Sequence, residues 1–219
     1  MMRQALQDKM PHMKYHLAIF DFDGTLADSF PFFIQVFNQL AKQYNFKNIP
    51  PELIPNYRHY TPRQMMQEVG LPAWKLPFVG RSFKSLMQKN QNSISLFEDV
   101  NEMLFYLKSN GVTLAMVSSN AYDNISQIMG PENINLFSHF ECGVSIFGKS
   151  SRIRNVLRKT GIPTHQAIYI GDQIPDLEAA RKVNVAFGAV AWGYGAIEAL
   201  RAHSPEEAFK SVLDIKNIV

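Results

Sequence analysis

Five short apolar runs punctuate the chain: YHLAIFDF, VTLAMVS, ECGVSIF, QAIYIGD and NVAFGAVAW. Their length and their β-branched and aromatic content predict strands, buried on both faces because little polar alternation interrupts them. Between the runs, apolar positions recur at helical spacing. LFEDVNEMLFYLKSNG closes at Gly111, YDNISQIMG follows the second run, SSRIRNVLRKTG closes at Gly161, and PDLEAARKV follows the fourth. A glycine just past the last periodic residue is a helix stop. The tail, SPEEAFKSVLDIKNI, predicts one more helix, with Ser204 as N-cap, Pro205 at N1 and Glu207 at N3. Strands alternating with helices predict right-handed βαβ units, and hence an α/β fold with a doubly wound, mostly parallel sheet.

Residues 30–95 break this alternation. They contain Pro31, Pro50, Pro51, Pro55, Pro62, Pro72 and Pro77, and helical patterns in FFIQVFNQLAKQY, PRQMMQEVG and FVGRSFKSLMQKN, but no run that reads as a strand. The pattern predicts a small helical module inserted after the first strand, with linkers near 28–29 and 93–95. The core then comprises 1–29 and 96–219, and the module 30–95. Phe30, Phe33 and Phe37 share a helix face, which predicts packing within the module or against the core.

Composition narrows the class without changing this layout. A hydrophobic content of 46% with 12 glycines and 12 prolines describes an ordinary globular chain. The single cysteine, Cys142, excludes an internal disulfide and suits a reducing compartment. No apolar run reaches the roughly 18 residues of a membrane helix, and the first residues lack the apolar stretch of a signal peptide; a cytoplasmic location without membrane contact is expected. The net charge is a mild +3. Basic residues crowd KSSRIRNVLRK, but Ile153, Val156 and Leu157 form an apolar stripe there while the arginines fan outward. A solvated helix face explains them, and no nucleic-acid motif accompanies them. Nothing signals an obligate protein partner.

In an open parallel sheet, ligands bind at the carboxyl ends of the strands. The first run ends in Asp21 and Asp23, which share a face while Phe22 points away. Two carboxylates so placed repel each other near a low-dielectric core, and a divalent cation is the simplest compensation. The second run ends in Ser118, Ser119 and Asn120, Lys149 follows the third, and the fourth ends in Asp172, with Asp176 close behind. All should converge on one rim. Taken alone, Ser119 and Asn120 also suit an N-cap, Ser118 a buried hydroxyl and Asp176 a first helical turn. Lys149 is more telling, because a cation at a helix start opposes the helix dipole unless an anion binds there.

In this order, DFDGTLADS, VSSN, GK and GDQIPD resemble the four signature motifs of the haloacid dehalogenase superfamily, and residues 30–95 resemble the helical cap that its subfamily I inserts after the first motif. AVAWGYG is similar to the stretch after the last core strand in phosphoglycolate phosphatase-like members. Lys149 stands in FGKSS in place of the commoner lysine-proline pair, and Asn120 precedes Ala121 where a lysine is frequent.

The resemblance implies an Mg²⁺-dependent phosphatase acting on a small phosphorylated metabolite, such as phosphoglycolate or a sugar phosphate. Asp21 would be the nucleophile that forms an aspartyl phosphate, and Asp23 the acid and base. Asp172 would ligate Mg²⁺ with Asp21 and the Asp23 backbone carbonyl, and Asp176 would hold a metal water or Lys149. Lys149 would screen phosphate charge, and Ser118 with the amides of Ser119 and Asn120 would bind phosphoryl oxygens. In the cap, Arg63 and Arg81 are the candidates to meet an acidic part of the substrate, among Tyr57, Arg58, His59 and Lys84. A phosphomutase on the same scaffold stays open. A dehalogenase needs neither the second acid nor the metal, and a phospho-receiver would carry its phosphorylated aspartate on a later strand.

Overall fold

The computed structural model describes residues 13–89, 93–143 and 148–219. Strand β1 (Leu17–Phe20) is a fully buried LAIF run. Its side chains alternate between two apolar layers, Leu17 and Ile19 in one, Ala18 and Phe20 in the other. This is the signature of a strand covered on both faces. β1 pairs in parallel with β4 (Thr113–Val117) on one side and β6 (Ala167–Gly171) on the other. The sheet continues to β5 (Phe137–Glu141) beyond β4, and to β7 (Ala186–Val190) and β8 (Glu207–Phe209) beyond β6. All six strands, in the order β5-β4-β1-β6-β7-β8, are parallel. After β1 the chain builds outward to β5 and then returns to β6, so the strand order reverses beside β1. A crevice opens at such a reversal.

The insertion is helical. Helix α1 (Phe30–Tyr44) buries Phe32, Val36, Phe37, Leu40 and Ala41 along one stripe and stops at Asn45, whose φ of 54° is left-handed. A short α2 (Ile54–Tyr57), α3 (Pro62–Glu68) and α4 (Leu76–Lys89) follow. Thr61 and Gln64 cap α3 reciprocally. Where the sequence suggests linkers, the chain forms a two-stranded antiparallel ribbon, β2 (Ala27–Asp28) against β3 (Ser95–Leu96). Two-residue strands are too short for periodicity to announce them.

The core helices are α5 (Val100–Ser109), α6 (Tyr122–Ile134), α7 (Lys149–Thr160), α8 (Ile174–Arg181) and α9 (Ile197–Arg201). In α7, Ile153 and Val156 are buried, while Arg154 and Arg158 face solvent. No helix among the described residues is long and apolar enough to cross a membrane.

Two expectations are corrected. The third strand is Phe137–Glu141, earlier than the ECGVSIF run; β5 is an outer strand of mixed polarity whose register against β4 slips between Leu114 and Ala115, so its apolar signal is weak. Residues 144–147 of that run lie outside the described residues. The tail does not form a helix from Ser204. Its EAF segment adds to the exposed edge of β7 as β8, burying Phe209, and the helical turns begin only at Val212, as a 3₁₀ helix (Val212–Ile218) capped by Ser211 and Asp214. Completing the sheet outweighs a favourable capping sequence.

Candidate active site

Asp21 and Asp23 leave β1 at the crevice. Gly24 follows with a φ of +74°, and a Cβ there would lie 2.4 Å from Asp172 Oδ2. Only glycine lets the first-motif turn approach the end of β6 this closely. Lys149, the first residue of α7, is buried and places its Nζ 2.7 Å from Asp21 Oδ2 and 2.6 Å from Asp176 Oδ1. Burial pulls the lysine pKa down, but the charges of Asp176 and Asp21 outweigh it and hold the group well above its ordinary value. Asp176 also accepts the Gln173 N–H with Oδ2, closing the start of α8.

Ligand atoms of Asp21, Asp172 and Asp176 all lie within 4.8 Å of one another. One lysine faces these three buried carboxylates. Asp172 Oδ2 accepts the Tyr194 N–H at 2.7 Å, while Oδ1 is buried with no hydrogen-bond partner among the described residues. Burial, followed by the charges of Asp176 and Asp21, pushes the Asp172 carboxyl well above the usual carboxylate range. Asp21 is pushed up to about 7 by burial, which its Lys149 contact only partly offsets. An orphaned carboxylate oxygen among crowded acids fits a hard cation held by oxygen ligands, as Mg²⁺ is.

Asp23 stands apart from this cluster. It accepts hydrogen bonds from Ser29 Oγ at 2.8 Å and Asn120 Nδ2 at 3.1 Å. Among the described residues no cation is in hydrogen-bond contact with it. Burial raises its pKa, and these neutral donors pull it back only in part. Ser29 Oγ also lies 2.8 Å from Tyr194 Oη. Because the serine proton points to Asp23, Tyr194 donates to Ser29, giving a relay from Tyr194 through Ser29 to Asp23.

Ser118 is fully buried and its Oγ accepts the Asn120 N–H at 3.1 Å, so that amide is already engaged. Ser119 and Asn120 border the cavity above the carboxylates. Asn120 Oδ1 accepts from the Ala121 N–H and from Asn124 Nδ2, fixing the side chain that reaches Asp23. The structure thus brings Asp21, Asp23, Ser119, Asn120, Lys149, Asp172 and Asp176 to one rim, with Ser118 directly beneath. Arg63 and Arg81 are not part of it: both are exposed, and neither borders the cavity. In α3 and α4 those positions lie off the apolar stripe that turns toward the core.

Two residues of the site escape a reading of the sequence: Ser29 ends the first motif and Tyr194 lies in AVAWGYG. Arg58, one of the cap residues the sequence offers for an acidic substrate, sits after α2 and takes a different part. The Arg58 guanidinium donates to the carbonyls of Gly193 at 2.6 Å and Tyr194 at 3.3 Å, and the Arg58 carbonyl accepts the Ala196 N–H. Tyr194 in turn packs against Phe30 and Phe33 of α1, with ring centroids 5.0 and 5.4 Å away. The signal was the GYG triplet: a Cβ on Gly193 would fall 2.2 Å from Asp172 Cβ, so this loop must press on the site.

A profile of the haloacid dehalogenase-like hydrolase family matches residues 18–190. The chain is 28% identical to a phosphoglycolate phosphatase of Synechococcus elongatus over 202 residues, 92% of this chain and 95% of that protein. It is 23% identical to a phosphoglycolate phosphatase of Haemophilus influenzae over 221 residues, covering 94% and 99% of the two chains. Its fold is similar to that of a haloacid dehalogenase-like family hydrolase from Streptococcus pneumoniae, with a TM-score of 0.78, 20% identity, and 92% and 97% of the two chains covered. The four motifs, the parallel sheet that gathers them and a profile match running from the first strand to the end of β7 agree: the chain belongs to the haloacid dehalogenase-like hydrolase family.

Proposed function

We propose that this enzyme is an Mg²⁺-dependent phosphomonoesterase that passes the phosphoryl group first to Asp21 and then to water. The observation that carries the reading is the contrast between the two aspartates. Asp21 faces Lys149 and two further carboxylates, whereas the hydrogen-bond partners of Asp23 among the described residues are a hydroxyl and an amide. Carboxylates in such different surroundings take different protonation states. Asp21 is the group that a cation would keep ionised, and Asp23 the one that retains a proton.

In this mechanism an oxygen of the Asp21 carboxylate attacks phosphorus as the ester P–O bond breaks. The departing alkoxide takes the proton of Asp23, leaving an aspartyl phosphate and an ionised Asp23. Asp23 then removes a proton from water as that water attacks phosphorus. Phosphate leaves, and both aspartates return to their starting states. Lys149 neutralises charge beside Asp21, and Ser119 and Asn120 face the phosphoryl group. Mg²⁺, held by Asp21, Asp172 and the Asp23 backbone carbonyl, would neutralise the phosphoryl oxygens. Asp176 belongs to the same cluster and would share the metal or hold Lys149. Residues 30–95 act as a cap that closes over the ester and excludes water.

Hydrolysis of p-nitrophenyl phosphate tests the reading. Turnover stops in chelator, returns with Mg²⁺ and is inhibited by excess Ca²⁺, whose looser coordination spoils in-line geometry. Full activity in chelator contradicts the metal assignment, and undiminished activity of Asp21→Asn contradicts the nucleophile.

A further inference from the structure

We propose that the ester cleaved here carries a hydrocarbon-rich alcohol, alkyl or aromatic, whose apolar end lies in the cavity beneath α1, α3 and α4. The inference rests on the phosphatase reading above and names the class of its substrate. A cavity of about 740 Å³ runs continuously from Asp21, Asp23 and Lys149 into the cap. That volume is in the range of sites for ligands much larger than a two-carbon acid, about 300–1,000 Å³. Away from the polar 57–61 stretch, its cap walls are hydrocarbon: Phe33 and Phe37 from α1, Met65 and Met66 from α3, Val79 and Phe83 from α4. The rings of Phe33 and Phe83 meet at a tilt of 60° with centroids 5.7 Å apart, joining α1 to α4.

The charge balance of the same cavity disfavours an acidic or sugar-like alcohol. Among the described residues that border it, the basic side chains are Lys149, Arg58 and His59. Lys149 is committed to Asp21 and Asp176, Arg58 donates to the carbonyls of Gly193 and Tyr194, and His59 is exposed. Thr61 spends its hydroxyl on Gln64. A carboxylate or a ring of hydroxyls pushed against Phe33, Met66 and Val79 would lose its hydration without replacement. An alkyl or aryl group would gain from the same walls.

The test compares ethyl, butyl and hexyl phosphate with 2-phosphoglycolate on the Mg²⁺-loaded full-length protein. The alkyl esters share nearly the same leaving group, so differences in kcat/KM report binding of the chain. The account expects a rise of about three- to fourfold per methylene, the value of burying a CH₂, and slower turnover of 2-phosphoglycolate than of hexyl phosphate. Filling the cavity should then erase the length preference. Val79→Phe adds volume to its wall. Gly80→Leu is a second choice in the same helix, because a Cβ at Gly80 meets no atom within 4 Å. Either variant that keeps the wild-type melting temperature should lower the hexyl-to-ethyl ratio several-fold. A flat alkyl series, a tenfold preference for 2-phosphoglycolate over hexyl phosphate, or an unchanged ratio in both folded variants overturns the proposal. Failure to hydrolyse any ester, p-nitrophenyl phosphate included, overturns the phosphatase reading beneath it.

Discussion

At the scale of residues, the site is built on unequal treatment of two neighbouring acids. The sequence makes the pair visible, because strand alternation puts Asp21 and Asp23 on one face. It also shows the groups meant to join them, since each stands at the end of an apolar run. What separates the two aspartates is supplied by partners far along the chain, Lys149 for one, and Asn120 with the Ser29–Tyr194 pair for the other. Ser29 and Tyr194 are 165 positions apart, and no local pattern encodes such a contact. Asp23→Asn keeps the shape and removes the proton. Cleavage of an alkyl phosphate should then fall by about 10²–10⁴-fold, the usual worth of general acid catalysis. Phosphoryl transfer from p-nitrophenyl phosphate, whose leaving group needs no proton, should survive as a burst followed by slow turnover. Rapid-quench kinetics on both esters decides the matter; equal loss of the first step for both would make Asp23 a structural residue.

At the scale of elements, periodicity located β1, β4, β6 and β7 because each is apolar on both faces. It misplaced β5 and β8, which lie at the two edges of the sheet and carry mixed side chains. Glu141, the last residue of β5, illustrates what an edge strand does here. It is buried and accepts hydrogen bonds from Arg152 and Lys159 on α7, both at 2.9 Å, tying that helix to the sheet. Burial pushes the Glu141 carboxyl up, and the hydrogen bonds from Lys159 and Arg152 more than offset it, so its pKa lies below the ordinary glutamate value. A lowered folded-state pKa contributes stability above the unfolded value, about 4.3, that is lost as pH falls through the folded one. Both basic partners are about half exposed, so solvent screening limits the gain to about 1 kcal/mol. Glu141→Gln should therefore lower Tm by about 2–4 °C at neutral pH. The gap should close below about pH 4, and thermal melts across pH check it. A gap independent of pH would assign the effect to packing.

At the scale of the molecule, a mostly parallel sheet, a helical stretch after β1 and the gathering of the motif residues at one rim are legible from strand–helix alternation and the strand-end rule, whereas the strand order is not. The lining of the cavity did not follow. Phe33 reads as an ordinary packing position of an amphipathic helix, and only the fold shows that it borders the cavity together with Met66 and Val79. The arginines that looked suited to a substrate instead face solvent, and Arg58 serves to fasten the insertion to the loop carrying Tyr194. The insertion and the catalytic rim are therefore joined through Arg58 and through the rings of Phe30, Phe33 and Tyr194, next to the relay that ends on Asp23. All of this matters only if Asp21 takes the phosphoryl group. Asp23→Asn, which slows the second step, should be incubated with a radiolabelled phosphomonoester bearing a good leaving group, quenched in acid and counted. The account predicts label on the protein that hydroxylamine releases, as it does from an acyl phosphate, and none on the Asp21→Asn, Asp23→Asn double variant. Equal label on the double variant, or a burst of product with no label on protein, would contradict it.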